Sequence, residues 1–194
     1  FILSKGGTVG AWARFDSWNG NSWSNTIIGK GGNSWSNHHY ILFKESGTKR
    51  MLFSVSNLTD HRGTGGPKTQ ELQLDTWYHV AATWNYTTKC IYLDGKLQEC
   101  VNSAIMPVDY INKTTIGKMN TNGYLTDGDI SDVFIYNVSL SAEKIDEMYR
   151  YARINIKRGV NEISLANCDL EHGQAYNVVA YTKDRVADVN LVAR

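Results

Sequence analysis

The sequence has little proline and cysteine, no long apolar run and almost no net charge. Two prolines stand against 17 glycines, so its turns must be built mainly by Gly, Asn and Asp. No stretch approaches the roughly 18 consecutive apolar residues that a membrane-spanning helix needs. A net charge of +1 creates no broad field that would attract nucleic acid or an anionic membrane. We therefore expect no nucleic-acid partner and no insertion into a membrane.

Sequence motifs for catalysis are missing as well. Glycoside hydrolysis needs two carboxyl groups, one to protonate the leaving oxygen and one to attack or to activate water. No Glu-x-Asp-x-x-Glu cluster supplies them here, and the chain has no Gly-x-Ser-x-Gly, Cys-x-x-Cys, phosphate-binding loop or His-Glu-x-x-His motif. His79 falls within a predicted strand, where a structural role is expected. The sequence thus predicts a protein that is not an enzyme.

Apolar residues recur at every second position in several segments, which is typical of half-buried β-strands. Clusters of Gly, Asn and Asp separate these segments and predict tight turns. Many short strands with such turns favour an all-β, antiparallel two-sheet sandwich. The alternating segments are 9–15, 51–55, 80–84, 91–93 and 133–135.

One short helix is predicted after the last of these strands. Ser141 is suited to cap its first turn. Leu140 and Ile145 have the spacing of a hydrophobic staple across that cap. Ile145, Met148 and Tyr149 then form an apolar stripe at helical spacing. We expect this helix to pack on the sandwich.

The character of the sequence changes after residue 151. We therefore divide the chain into a first domain, residues 1–151, and a second β-rich segment, residues 152–194. The second segment either begins another β domain, which we favour, or completes a sheet with another segment of a longer parent protein. Its predicted strands are 154–156, 162–165, 176–181 and 189–192.

Two cysteines flank a predicted hairpin whose turn is Asp-Gly, a strong turn signal because Gly accepts positive φ. If Leu93 faces Leu97 across a three-residue loop, Cys90 faces Cys100 and a disulfide is feasible. A two-residue loop would instead place Cys90 opposite Glu99, and the bridge would be strained. We favour the disulfide between Cys90 and Cys100.

Two further features are compatible with a secreted protein. A disulfide would indicate an oxidising compartment, and it would leave Cys168 unpaired within this chain. Asn-X-Ser/Thr sequons, about as many as chance would supply, provide candidate glycosylation sites. These sites are Asn57, Asn85, Asn112 and Asn137.

The pentapeptide Asn-Ser-Trp-Ser-Asn occurs twice, at 21–25 and 33–37. A tryptophan among Asn and Ser can stack on the apolar face of a sugar while the amides bond its hydroxyls. The same side chains can equally contact a protein partner or cover an open edge of the sandwich. The candidate ligand-binding residues are Trp18, Trp23, Asn25, Trp35, Asn37 and Tyr40.

Several motifs, in this order and spacing, resemble those of laminin-G-like, concanavalin A-like jelly-roll domains. The resemblance covers roughly residues 7 to 150. It implies a sandwich of two antiparallel sheets that acts as a ligand-binding or adhesive module on secreted, surface or viral proteins, or as an appendage of a glycosidase. The motifs that carry it are Thr8–Phe15, Ile27–Gly32, Trp77–Trp84, Tyr92–Leu97, Gly128–Asn137 and Leu140–Tyr149.

The resemblance also shapes the expected function and metal content. We expect a non-catalytic module that recognises a glycan or a protein partner at an extracellular, cell-surface or virion-surface location. The alternatives are a structural module of a surface or virion protein and an accessory domain of a carbohydrate-active enzyme. Relatives often bind calcium at a sheet rim. Asp127, Asp129 and Asp132 are the candidate ligands, although they also fit a solvated acidic turn.

Relatives usually have one or two strands before the first motif. Only about six residues precede it here. We therefore expect an N-terminal strand to be missing or to be supplied by another segment, since a sheet that lacks it would have an open edge.

Overall fold

The computed structural model describes residues 5–18, 24–31, 38–56, 65–107, 113–119, 125–151, 175–182 and 185–192. The strands are β1 (Gly7–Phe15), β2 (Ser24–Gly31), β3 (His38–Lys44), β4 (Arg50–Val55), β5 (Lys68–Glu71), β6 (Tyr78–Trp84), β7 (Thr88–Leu93), β8 (Lys96–Asn102), β9 (Thr114–Ile116), β10 (Gly128–Tyr136), β11 (Ala175–Thr182) and β12 (Arg185–Val192). The helix is α1 (Ala142–Tyr151).

Ten of these strands form two five-stranded antiparallel sheets, which confirms the predicted jelly-roll sandwich. The first sheet has the order β10-β1-β6-β7-β8, and the second has the order β5-β4-β3-β2-β9. Alternate side chains of both sheets point inward and form one continuous core. Trp84 lies at its centre, fully buried, with its ring 5.4 Å from the rings of both Tyr40 and Phe53.

Helix α1 packs on the outer face of the first sheet, as the sequence predicts. Ser141 caps the helix, because the backbone N–H of Lys144 donates to its Oγ at 3.4 Å. Ile145 is fully buried against the sheet, and Leu140 packs against the same cluster. The ring of Tyr149 stacks on Trp12 of β1 at a centroid distance of 5.7 Å.

The β7–β8 hairpin contains the predicted disulfide, but its turn differs from the predicted one. Leu93 pairs with Lys96, so the loop has two residues rather than three, and Leu93 does not face Leu97. A β-bulge in β8 then restores the register, so that Cys90 pairs with Cys100 and the two are bonded. The bulge adds one residue to β8 and so compensates for the loop, which is one residue shorter than predicted. Cys90 therefore still faces Cys100.

We expect removal of this disulfide to destabilise the sandwich by about 2–3 kcal/mol, from the entropy of the loop it closes. The variant Cys90→Ala with Cys100→Ala should show the loss in urea unfolding followed by tryptophan fluorescence. Cys168→Ala is the control and should unfold at the wild-type urea concentration. Equal stabilities of the double variant and the wild type would contradict a structural role for the bridge.

The strands of both sheets run between two ends of the sandwich. At the end that we call the Arg14 end, β1 finishes and β2, β6 and β10 begin. At the opposite end, the Thr8 end, β1 begins and β2, β4, β6 and β10 finish. The rings of Tyr40 and Trp84 stack between the sheets near the Thr8 end, so the two sheets share these ends.

The chain divides into two compact units, Phe1–Arg150 and Tyr151–Arg194. In the second unit, β11 and β12 form an antiparallel hairpin with a two-residue connection. Its pairing runs from Ala175 with Val192 to Thr182 with Arg185. These strands include the predicted segments 176–181 and 189–192, whereas 154–156 and 162–165 lie outside the described residues.

Candidate functional site

Arg14, near the end of β1, gathers three carboxylates that are far apart in sequence. Its Nε and Nη2 both donate to Oδ2 of Asp129, at 3.0 and 2.6 Å. Its Nη1 donates to Oδ1 of Asp75 at 2.9 Å and lies 2.9 Å from Oδ1 of Asp16. β1, the turn before β6 and the start of β10 thus meet at one guanidinium.

The charge of this group is strongly unbalanced. The hydrogen bond to Asp129, together with the nearby charges of Asp16 and Asp75, raises the pKa of Arg14. Asp127 lies next to the group, where the hydroxyl of Ser17 donates to its Oδ2 at 2.6 Å. At neutral pH Arg14 and the carboxylates of Asp16, Asp75, Asp127 and Asp129 together therefore carry a net negative charge.

Asn25, at the start of β2, ties the loops of this end together. Its Nδ2 donates to the carbonyl of Ser17 at 2.8 Å, and its Oδ1 accepts from the backbone N–H of Asp127 at 3.3 Å. Its own N–H donates to the carbonyl of Leu125 at 3.2 Å. Asn25 adopts a φ of 49°, a conformation that Asn tolerates better than most residues. Asn25 therefore holds the loops around Ser17 and Asp127 together from a buried position.

Trp77 is the aromatic residue of this end that sequence reasoning missed. It directly precedes β6, one position beyond the Ala13–Tyr78 pair. Because side chains alternate along a strand and His79 packs against Trp12 on the outer face, Trp77 belongs to that outer face too. It is 43% exposed, which is unusual for a large indole. The signal in the sequence was a tryptophan just before a predicted strand. Because Trp77 belongs to a family motif, it was interpreted as part of the fold and not as a ligand-binding residue.

The structure reassigns the described members of the predicted ligand surface. Asn25 and Tyr40 are 0% and 1% exposed, so neither can contact a ligand from outside, and both have internal roles. This corrects the prediction that their polar groups face a ligand. Trp18 is partly buried, with its ring 5.2 Å from Phe15 of the core. Trp23, Trp35 and Asn37 lie outside the described residues.

The two Asn-Ser-Trp-Ser-Asn copies join opposite ends of β2. The first copy runs into Ser24, which begins β2 at the Arg14 end, and the second follows Gly31, which finishes β2 at the Thr8 end. An eight-residue strand is roughly 23 Å long at about 3.3 Å per residue.

The predicted calcium ligands are not brought together. Asp129 is bonded to Arg14, Asp127 accepts from Ser17, and Asp132, with a φ of 49°, accepts from the hydroxyl of Ser131. Across the described residues, no three His, Cys, Asp or Glu side chains are arranged to hold a metal ion. Each of these three carboxylates thus has a partner of its own, and a calcium site formed by them stays a prediction.

Two antiparallel sheets with a polar, aromatic rim define a lectin-type sandwich. The chain belongs to the concanavalin A-like lectin/glucanases superfamily, since a laminin-G family model of that description matches residues 2–146. Comparison with curated proteins found no match. No helix in the described parts of the chain is long and apolar enough to span a membrane.

Solved structures with the same fold come from several organisms. A candidate carbohydrate-binding protein of Bacteroides ovatus has a TM-score of 0.58 and 19% identity, covering 74% of this chain and 40% of its own. Trypanosoma rangeli sialidase with 2,3-difluorosialic acid has a TM-score of 0.57 and 13% identity, covering 78% and 24%. The botulinum neurotoxin serotype G binding domain has a TM-score of 0.55 and 15% identity, covering 76% and 36%.

These likenesses concern the fold. The chain spans less than half the length of each of the three structures, and each identity is below 20%. They support the two-sheet sandwich fold. Which surface binds a ligand has to be argued from the residues of this chain.

Proposed function

We propose that this protein is a non-catalytic carbohydrate-binding module and that its ligand binds at the Arg14 end. Two observations carry the proposal: an exposed indole, Trp77, one position beyond the Ala13–Tyr78 pair, and a group of carboxylates that Arg14 fixes at the same end of the sheet. A sugar has an apolar face and a rim of hydroxyls. It therefore fits a surface that offers one flat aromatic ring and several firmly placed acceptors.

Arg14 prepares the carboxylates for this role. Asp75 and Asp129 are 76% and 56% exposed at their side chains, so each keeps acceptor capacity for a ligand while it is anchored to the guanidinium. A carboxylate that is already positioned loses little conformational entropy when it accepts from sugar hydroxyls. The net negative charge of the group favours a ligand whose groups donate hydrogen bonds.

The same geometry argues against hydrolysis. A glycosidase places its two carboxyl groups on either side of the scissile bond. Here the guanidinium of Arg14 lies between Asp129 on one side and Asp16 and Asp75 on the other. The space that a glycosidic bond would need is occupied by the protein's own cation, which supports binding without turnover.

Replacement of Trp77 should weaken glycan binding strongly. A glycan array identifies the ligand, and titration calorimetry then compares the wild type with Trp77→Ala. Loss of one stacked aromatic ring should reduce affinity at least tenfold, since about 1.4 kcal/mol suffices for that factor. Tyr86→Ala is the matched control, because Tyr86 is a 58% exposed aromatic residue at the Thr8 end.

The same titration tests the repeated tryptophans. Because Trp23 directly precedes the start of β2, we expect Trp23→Ala to weaken binding, whereas Trp35→Ala should bind as the wild type does. Unchanged affinity of Trp77→Ala, or a loss confined to Trp35→Ala, would overturn the assignment of the ligand to the Arg14 end.

A further inference from the structure

Both Asn-X-Ser/Thr sequons whose asparagines the structure describes adjoin the Thr8 end of the sandwich. Asn85 directly follows β6, and Asn137 directly follows β10. Asn57 and Asn112 lie outside the described residues, but a single residue separates them from the finish of β4 and the start of β9. β4 finishes at the Thr8 end, and β9 begins there beside the last residues of β2.

The sequon of Asn137 has exposed acceptor and hydroxyl residues on a fixed backbone. Asn137 and Ser139 are both exposed, and Val138 between them is 52% exposed. Thr8 holds this backbone, because its Oγ1 donates to the carbonyl of Val138 at 2.7 Å and accepts from the N–H of Leu140 at 2.9 Å. These two bonds use only main-chain atoms of Val138 and Leu140, so the side chains of Asn137 and Ser139 remain free of them.

The sequon of Asn85 forms the turn between β6 and β7. Its Oδ1 accepts from the N–H groups of Thr87 and Thr88 at 2.9 and 2.8 Å, and from their hydroxyls at 3.0 and 3.1 Å. A glycan is attached through Nδ2, an atom that none of these four bonds uses. The turn can therefore keep its hydrogen bonds when Nδ2 is substituted. Tyr86, the middle residue, is 58% exposed.

We propose that Asn85 and Asn137 carry N-linked glycans and that this modification is confined to the Thr8 end, which leaves the Arg14 end bare for its ligand. In the transfer, Nδ2 forms a bond to C1 of a sugar, the bond from C1 to a lipid-linked diphosphate breaks, and the amide proton leaves with the diphosphate. The two ends are separated by the length of β1, roughly 25 Å. The second half of this proposal rests on the proposed function, whereas the occupancy of the sequons does not.

Occupancy is measured first, on the full chain secreted from a eukaryotic host. Enzymatic release of N-glycans in heavy-oxygen water converts each occupied Asn to a labelled Asp, which peptide mass spectrometry locates. We expect label at Asn85 and Asn137, and its loss from the second site in Ser139→Ala. Folded, secreted protein without label at these two residues would overturn the proposed modification, whatever the ligand measurements show.

The bare end is tested by moving a glycan. Leu74→Asn completes a new sequon with Asp75 and Thr76, beside the Asp75 N–H that donates to the carbonyl of Phe15 at the Arg14 end. We expect this variant, when glycosylated, to bind the array-identified sugar at least tenfold more weakly, and to recover when the glycan is removed enzymatically.

Removal of the glycans from the wild-type protein is the complementary experiment. Their removal should leave affinity for the same sugar within twofold of the starting value. A tenfold gain on removal would place the ligand at the Thr8 end and overturn the separation of the two ends. If the array identifies no sugar, the proposed function fails while the occupancy result still decides the modification.

Discussion

Gly128→Ala should destabilise the protein by about 3–5 kcal/mol and abolish the proposed ligand binding at the Arg14 end. Gly128 begins β10 with a φ of 143°, a conformation that residues with a side chain rarely adopt. A Cβ there would overlap the carbonyl oxygen of Arg14 and lie 2.8 Å from Cα of Phe15. Both obstacles are backbone atoms of the paired strand, so no side chain can move aside to relieve the clash.

The strain falls on the strand that carries Arg14. β1 and β10 pair through Phe15 and Gly128, so their separation would displace Asp129 from the guanidinium. Thermal unfolding measures the cost, and roughly 2–4 °C are lost for each kcal/mol in a chain of this size.

Gly47→Ala is the control for this substitution. Gly47 also has a positive φ, 72°, but a Cβ there would meet nothing within 4 Å. It should therefore show only the conformational cost of about 1 kcal/mol. Equal melting temperatures of the two variants would show that the approach of the two strands is not close enough to exclude a side chain.

The sequence predicted the elements that depend on neighbouring residues. Period-two alternation located the core strands, because inward and outward positions alternate along every strand. The cap at Ser141 and the stripe through Ile145 located α1 for a similar reason. Local spacing was less reliable for the hairpin: the pairing of Cys90 with Cys100 was right, although the loop has two residues, because a bulge that the sequence does not announce compensates for it.

The candidate site could not be read in the same way. Arg14 is 61 residues from Asp75 and 115 from Asp129, and only the strand order of the first sheet brings them together. The sequence alone therefore gave no sign that Asp129, predicted as a calcium ligand, is bonded to an arginine of another strand. Tyr40 was predicted to belong to the ligand-binding surface for a related reason. The residues just before it in sequence are polar and do not reveal that its ring faces Trp84.

Stability should fall as the pH drops from about 6.5 to about 4, and His79 should account for roughly 3 kcal/mol of that loss. His79 is 2% exposed, and its ring lies between those of Trp12 and Phe134, at 5.6 Å from each. Its Nδ1 has no hydrogen-bond partner among the described residues. Burial lowers the pKa of His79 from 6.5 to about 4, and the charge of Asp132 opposes this shift only in part.

The direction of this pH dependence follows from the difference in proton binding between the folded and the unfolded chain. Between pH 6.5 and about 4 the unfolded chain protonates this imidazole while the folded chain keeps it neutral, so acidification favours unfolding. The stability that the neutral imidazole contributes is fully present above pH 6.5. It decreases by about 1.4 kcal/mol per pH unit between pH 6.5 and about 4, and no further loss follows below the pKa of the folded state. An exposed histidine would give no such slope.

His79→Phe keeps an aromatic ring beside Trp12 and removes the titration, so it isolates this term from the other acidic groups. Urea unfolding at half-unit steps from pH 7.5 to 3.5 should show the wild type losing roughly 3 kcal/mol more than the variant. Asp94 holds the backbone of His79 in both proteins, through bonds of 2.9 and 2.8 Å to its N–H and carbonyl, so the strand itself should be unchanged. Parallel curves for the two proteins would mean that the imidazole is accessible to protons in the folded state. The helix that stacks Tyr149 on Trp12 would then not seal this part of the sheet.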